Sequence, residues 1–158
     1  MPESKILVKD IMVTAVISVL PSLSLIEAIK VIISHRFDGV PVIDRENRLL
    51  GILTEYDVIK ESSKLGIPIL QSLALEDLSG GDNFWDNFLE MLKSLKVQDV
   101  MNKEPLTLKS EATLEEAIMT FRDHHRVNPI PVISDDGKVI GVVSRFDVLK
   151  PFNLIDIE

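Results

Sequence analysis

The chain repeats itself, and a repeat constrains the fold more than any local propensity does. Val8-Lys9-Asp10-Ile11-Met12 returns as Val97-Gln98-Asp99-Val100-Met101, and the same 89-residue offset carries Glu27-Ala28-Ile29 onto Glu116-Ala117-Ile118. One residue is inserted in the second copy, after which Pro41-Val42-Ile43 falls on Pro131-Val132-Ile133 at an offset of 90. The string from Gly51 to Lys60 then falls on Gly141 to Lys150 with apolar, small and acidic types kept in place. Two units, residues 8–60 and 97–150, are therefore expected, separated by an insert over residues 61–96.

Each unit reads as β-α-β-β-α, so the expected class is α+β. A short strand is expected over Val16 to Val19 and again over Leu106 to Leu108. Ser24-x-x-Glu27 and Thr113-x-x-Glu116 are capping-box patterns that open the following helix. Apolar runs Val40 to Ile43 and Leu49 to Leu53 flank the turn-rich Asp44-Arg45-Glu46-Asn47. The second unit repeats this around Asp135-Asp136-Gly137, which predicts a hairpin in each. Near-continuous apolar strands predict that the two units bury their sheets together under helices. In the insert, Phe84, Phe88, Met91, Leu92 and Leu95 recur at helical spacing beyond a Gly80-Gly81-Asp82 turn, with Trp85 beside them. A helix packed on its own module, or on a second copy, is expected there.

Composition removes several functions. With 158 residues and 46% hydrophobic content the chain can bury a core. Seventeen Lys and Arg against 25 Asp and Glu leave a net charge of −8, so neither nucleic acid nor an anionic membrane is an expected partner. The chain has no cysteine, and His35, His124 and His125 have no second cluster of ligand-spaced partners, so no metal site is expected. Ile11 to Leu20 loosely imitates a signal peptide but is too short to span a bilayer, and its counterpart recurs inside the chain. It reads as fold, and a cytoplasmic protein is expected.

The chemistry concentrates at Thr54-x-x-Asp57 and Ser144-x-x-Asp147, each between a strand and a helix. Each pattern is a good helix cap with an acid in the first turn, which needs no function. It also suits a nucleoside phosphate. Free N–H groups and the hydroxyl are expected to hold phosphate, while the carboxylate accepts both vicinal hydroxyls of a ribose.

The doubled pattern of Val-x-Asp-hydrophobic-Met, hydrophobic-Pro-Val-Ile and Gly-hydrophobic-hydrophobic-Thr/Ser-x-x-Asp resembles two CBS domains forming a CBS pair, or Bateman module. The resemblance covers nearly the whole chain apart from the insert and the termini. It implies a pseudo-twofold module with two clefts, in which family members bind AMP, ADP, ATP, S-adenosylmethionine or cyclic dinucleotides. Carried over by position, Asp57 and Asp147 would hold ribose, and Thr54 and Ser144 would assist with ribose or phosphate. Ile17-Ser18, Leu106-Thr107, Val40-Pro41 and Ile130-Pro131 would frame adenine. No cofactor is required, and the family's habit of packing into discs implies a homodimer.

The clefts are expected to differ. The second unit carries Arg145 and the run His124-His125-Arg126, whereas the first has Glu55 at the Arg145 position and only His35-Arg36. A phosphate is therefore expected at the Ser144–Asp147 cleft, where guanidinium attracts and carboxylate would repel. Catalysis is not expected, because no nucleophile elbow or phosphate-binding glycine loop surrounds these residues. The expected function is a regulatory adenosyl-ligand sensor acting on a partner protein; the alternative is a ligand-free dimerisation or docking module.

Overall fold

The computed structural model describes residues 5–61, 63, 86, 89, 90 and 92–154. Phe84, Trp85, Phe88, Met91 and most of the expected insert helix lie outside the described residues. In chain order the elements are α1 (Val8–Ile11), α2 (Leu25–His35), β1 (Gly39–Ile43), β2 (Leu49–Thr54) and a helix α3 over residues 55–61. There follow α4 (Val97–Val100), α5 (Leu114–Asp123), β3 (Ile130–Ile133), β4 (Val139–Val143) and a 3-10 helix (Asp147–Leu154). Among the described residues no helix is long and apolar enough to cross a membrane.

Both expected hairpins form. In the antiparallel pair β1–β2, Val40 lies opposite Leu53; in β3–β4, Ile130 lies opposite Val143. Their turns reverse through equivalent residues of positive φ, Asn47 at 65° and Gly137 at 80°, types that tolerate the left-handed region. The two turns meet, Leu49 N–H donating to the Gly137 carbonyl and Val139 N–H to that of Asn47, both at 3.0 Å.

Side chains start the helices as the sequence suggests. Thr113 Oγ1 accepts the Glu116 N–H at 3.1 Å while the Glu116 carboxylate accepts the Thr113 N–H, a complete capping box. In α2 only half the box forms: Ser24 Oγ accepts the Glu27 N–H at 3.3 Å and donates its hydroxyl to Glu27 Oε2 at 2.6 Å. The Val-x-Asp motif has the same use: Asp10 and Asp99 each accept the N–H three residues back at 2.8 Å.

Three expectations are corrected. First, the units do not share one core. Among the described residues there are two, and each is built partly from the other unit. Val8 and Ile11 of α1 pack with Leu108, Ala117, Phe121, Ile130 and Val143 of the second unit. Val97 of α4 packs with Leu25, Ala28, Val40 and Leu53 of the first, joined by Leu92 and Leu95 from the end of the insert. Val13 bridges Val142, and Asn102 bridges Ile52, so each crossing segment also pairs with the other unit's hairpin.

Second, the short leading strands shrink to single bridges, Val19 to Val42 and Leu108 to Val132. Val19 N–H donates to the Pro41 carbonyl and Ile43 N–H to that of Val19, both at 3.0 Å. The next rung needs an N–H at position 41, which proline lacks, and Pro131 ends the other ladder in the same way.

Third, the closing helix of the second unit is 3-10 rather than α, with Pro151 inside it. Proline disfavours α geometry in the residue before it, here Lys150. The residue of the first unit equivalent to Pro151 is Glu61, within α3.

Candidate functional site

At each Ser/Thr corner the acid folds back on its own alcohol. Asp57 Oδ2 accepts the Thr54 N–H and hydroxyl, both at 2.8 Å, and the Asp57 N–H returns to Thr54 Oγ1 at 3.3 Å. Asp147 Oδ2 accepts the Ser144 N–H at 2.7 Å and hydroxyl at 2.9 Å, with the same return at 3.3 Å. One of the two intervening amides in each corner is also used: Glu55 N–H donates to the Asp38 carbonyl at 2.9 Å and Arg145 N–H to Asn128 Oδ1 at 3.0 Å. The expectation that free amides and the hydroxyl hold a phosphate is thereby corrected for the two hydroxyls and for the amides of Thr54, Glu55, Asp57, Ser144, Arg145 and Asp147, whose donors are already engaged.

Each corner lines a cleft completed by the other unit. Thr54, Tyr56, Asp57 and Lys60 face Leu106, Arg126, Asn128 and Pro129, with Asn102 and Glu104 on the rim, around about 240 Å³. Ser144, Phe146 and Asp147 face Val16, Ile17, Arg36, Phe37, Asp38 and Pro41 around about 260 Å³. Since the volumes are close, chemistry rather than size distinguishes the clefts.

This crossing corrects the expected allotment of charge. Arg126 lines the Thr54–Asp57 cleft, not that of Ser144 and Asp147, and Arg36 lines the opposite one. The reason is architectural: the chain after each unit's main helix runs across to the partner's corner. Arg145 and His125 border a third depression between the clefts, together with Asp38, Glu55, Tyr56, Arg126 and Asn128. There Arg145 Nη2 donates to the His125 carbonyl.

Of the expected adenine frame, Ile17, Pro41 and Leu106 line a cleft. Val40, Ile130 and Pro131 are fully buried, and Ser18 and Thr107 line neither cleft. His35 is turned to the end of its own helix, with Nδ1 2.9 Å from the Val31 carbonyl and its ring stacked on Phe37. His124 caps α5. Sequence reading missed Tyr56, Lys60, Asp38 and Asn128. Asp38 and Asn128 hold equivalent places at the offset of 90, and Asn128 Nδ2 donates to Asp38 Oδ2. Only the repeat register could have signalled that pairing.

The acids differ in their surroundings. Asp147 is 5% exposed, and Lys150 Nζ sits 2.6 Å from its Oδ1. Asp57 is half-buried, and its Oδ1 has no hydrogen-bond partner among the described residues. Burial, and then the charges of Asp38 and Asp57, push the Glu55 carboxyl above its ordinary range. Among the described residues no group of three His, Asp or Glu could hold a metal ion.

The family model for the CBS domain matches residues 8–64 and 97–153. This chain belongs to the CBS domain family. An uncharacterized protein of Methanocaldococcus jannaschii is 29% identical to this CBS pair over 153 residues, covering 91% of this chain and 89% of its own. The chloroplastic CBS domain-containing protein CBSX1 of Arabidopsis thaliana is 27% identical over 136 residues, 82% of this chain but 56% of its own length. Among solved structures, CBSX2 in complex with AMP superposes with a TM-score of 0.71 at 24% identity, covering 96% of this chain and 99% of that one. The CBS domain pair of protein MJ0100, in complex with 5'-methylthioadenosine and S-adenosyl-L-methionine, gives 0.68 at 22% identity, with 94% and 97% covered. At these identities the likeness establishes the fold, a tandem CBS pair.

Proposed function

We propose that this CBS pair is a regulatory module that binds an adenosyl ligand of the AMP, ADP, ATP or S-adenosylmethionine class between its units and is not an enzyme. The observation that carries the reading is the duplicated alcohol–acid corner lining a cleft completed by the opposite unit. The free oxygen of Asp57 suits a ribose diol. The prolines that end the short ladders leave the Ile17 and Leu106 carbonyls without a backbone donor among the described residues, beside the clefts, where they suit an exocyclic amine. The adenosyl ligands held by two relatives of the same fold support this chemistry. Ser144 donates its hydroxyl to a carboxylate already engaged elsewhere, which supports a binding corner over a nucleophile.

A ligand that bridges two units favours the arrangement that fits it, and by linkage shifts affinity for whatever partner reads that arrangement. A homodimer is the partner we propose first. Leu149 and Phe152 are exposed three residues apart on the 3-10 helix, which puts them on one stripe, and exposed Phe146 lies in the turn just before it. That stripe also favours the second reading, a ligand-free docking module. Thermal unfolding against rising AMP, ATP and S-adenosylmethionine separates the two. The melting temperature is expected to rise with the logarithm of ligand concentration and the rise to shrink in Asp57→Asn. A flat response to every ligand leaves only the docking module.

A further inference from the structure

Lys60 and Lys150 are equivalent residues of the repeat, each three positions beyond its aspartate. The structure employs them differently. Lys150 stands on the 3-10 helix, where three residues per turn place it directly over Asp147. Its Nζ lies 2.6 Å from Asp147 Oδ1 and donates to the Ile11 carbonyl at 2.8 Å. With the Ser144 N–H and hydroxyl on Oδ2, both oxygens of Asp147 are occupied. Lys60 follows Asp57 on an α-turn, about 60° away from eclipsed. It lines the Thr54–Asp57 cleft, and its ammonium makes no hydrogen bond or ion pair with a described residue.

Arg126 stands in the same cleft. Its Nη1 donates to the Tyr56 hydroxyl at 2.7 Å, and its guanidinium lies 5.1 Å from the Tyr56 ring centroid. This holds the side chain in place before any anion arrives, which lowers the ordering cost of binding one. With Asp57 reserved for sugar, two cations face one further carboxylate, Glu104. Among the described residues the opposite cleft is lined by one cation, Arg36, balanced by Asp38, since Lys150 is spent on Asp147.

We propose that a phosphorylated adenosyl ligand is taken by the Thr54–Asp57 cleft, with Lys60 and Arg126 as the residues that select for phosphate. The Ser144–Asp147 cleft discriminates little between charged and uncharged ligands and binds more weakly, because Lys150 latches its acid. The proposal rests on the adenosyl-ligand reading above and adds to it the cleft and the charge selectivity.

Calorimetric titration of the full chain with AMP and with adenosine tests it, using Lys60→Met, Arg126→Met and, as the matched control, Arg36→Met. All three side chains are exposed, so circular dichroism melts are expected to match the parent's. AMP is expected to bind the parent more tightly than adenosine. Lys60→Met and Arg126→Met are each expected to weaken AMP about tenfold while leaving adenosine unchanged, and Arg36→Met to leave both unchanged. Loss of AMP in Arg36→Met alone, or equal loss of AMP and adenosine in the other two, overturns the proposal. Equal affinity of the parent for AMP and adenosine sinks the selectivity but keeps the adenosyl reading. Binding of neither ligand by the parent removes both.

Discussion

Glu55 shows what residue identity says and what it leaves open. Read in register with Arg145, it suggests a carboxylate repelling phosphate from its own unit's cleft. In the fold it borders the depression between the clefts, where burial and the charges of Asp38 and Asp57 raise its pKa. A carboxyl raised in the folded state holds its proton more tightly than in the unfolded chain. Its favourable contribution is present below the ordinary glutamate range and is lost as pH rises through the raised value. Glu55→Gln is therefore expected to match the parent at the acid end and to exceed it in stability as pH rises, in paired unfolding curves across pH. A difference that does not change with pH would contradict this. Exposed Glu116 and Asp123 act with opposite sign, since hydrogen bonds from Thr113 and Arg122 lower their pKa values and their contributions fade on acidification.

At the scale of elements, the glycine opening each Gly-hydrophobic-hydrophobic-Thr/Ser-x-x-Asp string explains how the units interlock. A Cβ on Gly51 would stand 2.5 Å from the Asn102 carbonyl oxygen, on the segment that crosses from the second unit. On Gly141 it would meet Met12 Sδ at 2.6 Å, with the Val13 carbonyl oxygen at 3.2 Å. Backbone cannot step aside as a thioether can. Gly51→Ala is expected to cost roughly 1–3 kcal/mol in chemical denaturation and Gly141→Ala less. An equal or reversed order would show that Met12 is the more rigid neighbour. Hairpins, caps and the main helices were legible because each follows from local chemistry. The 3-10 helix was not read from the sequence, although Pro151 stands inside it, and neither was its consequence: only helix geometry turns the same Asp-x-x-Lys into a latched pair in one unit and an open one in the other.

Across the whole molecule, the exchange of α1 and α4 makes each unit incomplete without its partner. Val8 and Val97 are both fully buried, each in the core of the opposite unit. Val8→Ala and Val97→Ala are each expected to cost roughly 1–3 kcal/mol. Scanning calorimetry should show both lowering one shared transition, with calorimetric and van't Hoff enthalpies equal. Two transitions that respond separately would mean that the units unfold independently.

The sequence alone determined the duplicated architecture, the hairpins and the alcohol–acid corners, because register, alternation and capping are properties of neighbours along the chain. Which core receives α1, which cleft receives Arg126 and whether a lysine is free or bound were decided only in three dimensions. The first two depend on one unit crossing to the other, through contacts such as Arg126 with Tyr56 and Val8 with Ala112 that leave no trace in local pattern, and the third on whether the closing helix winds as α or 3-10.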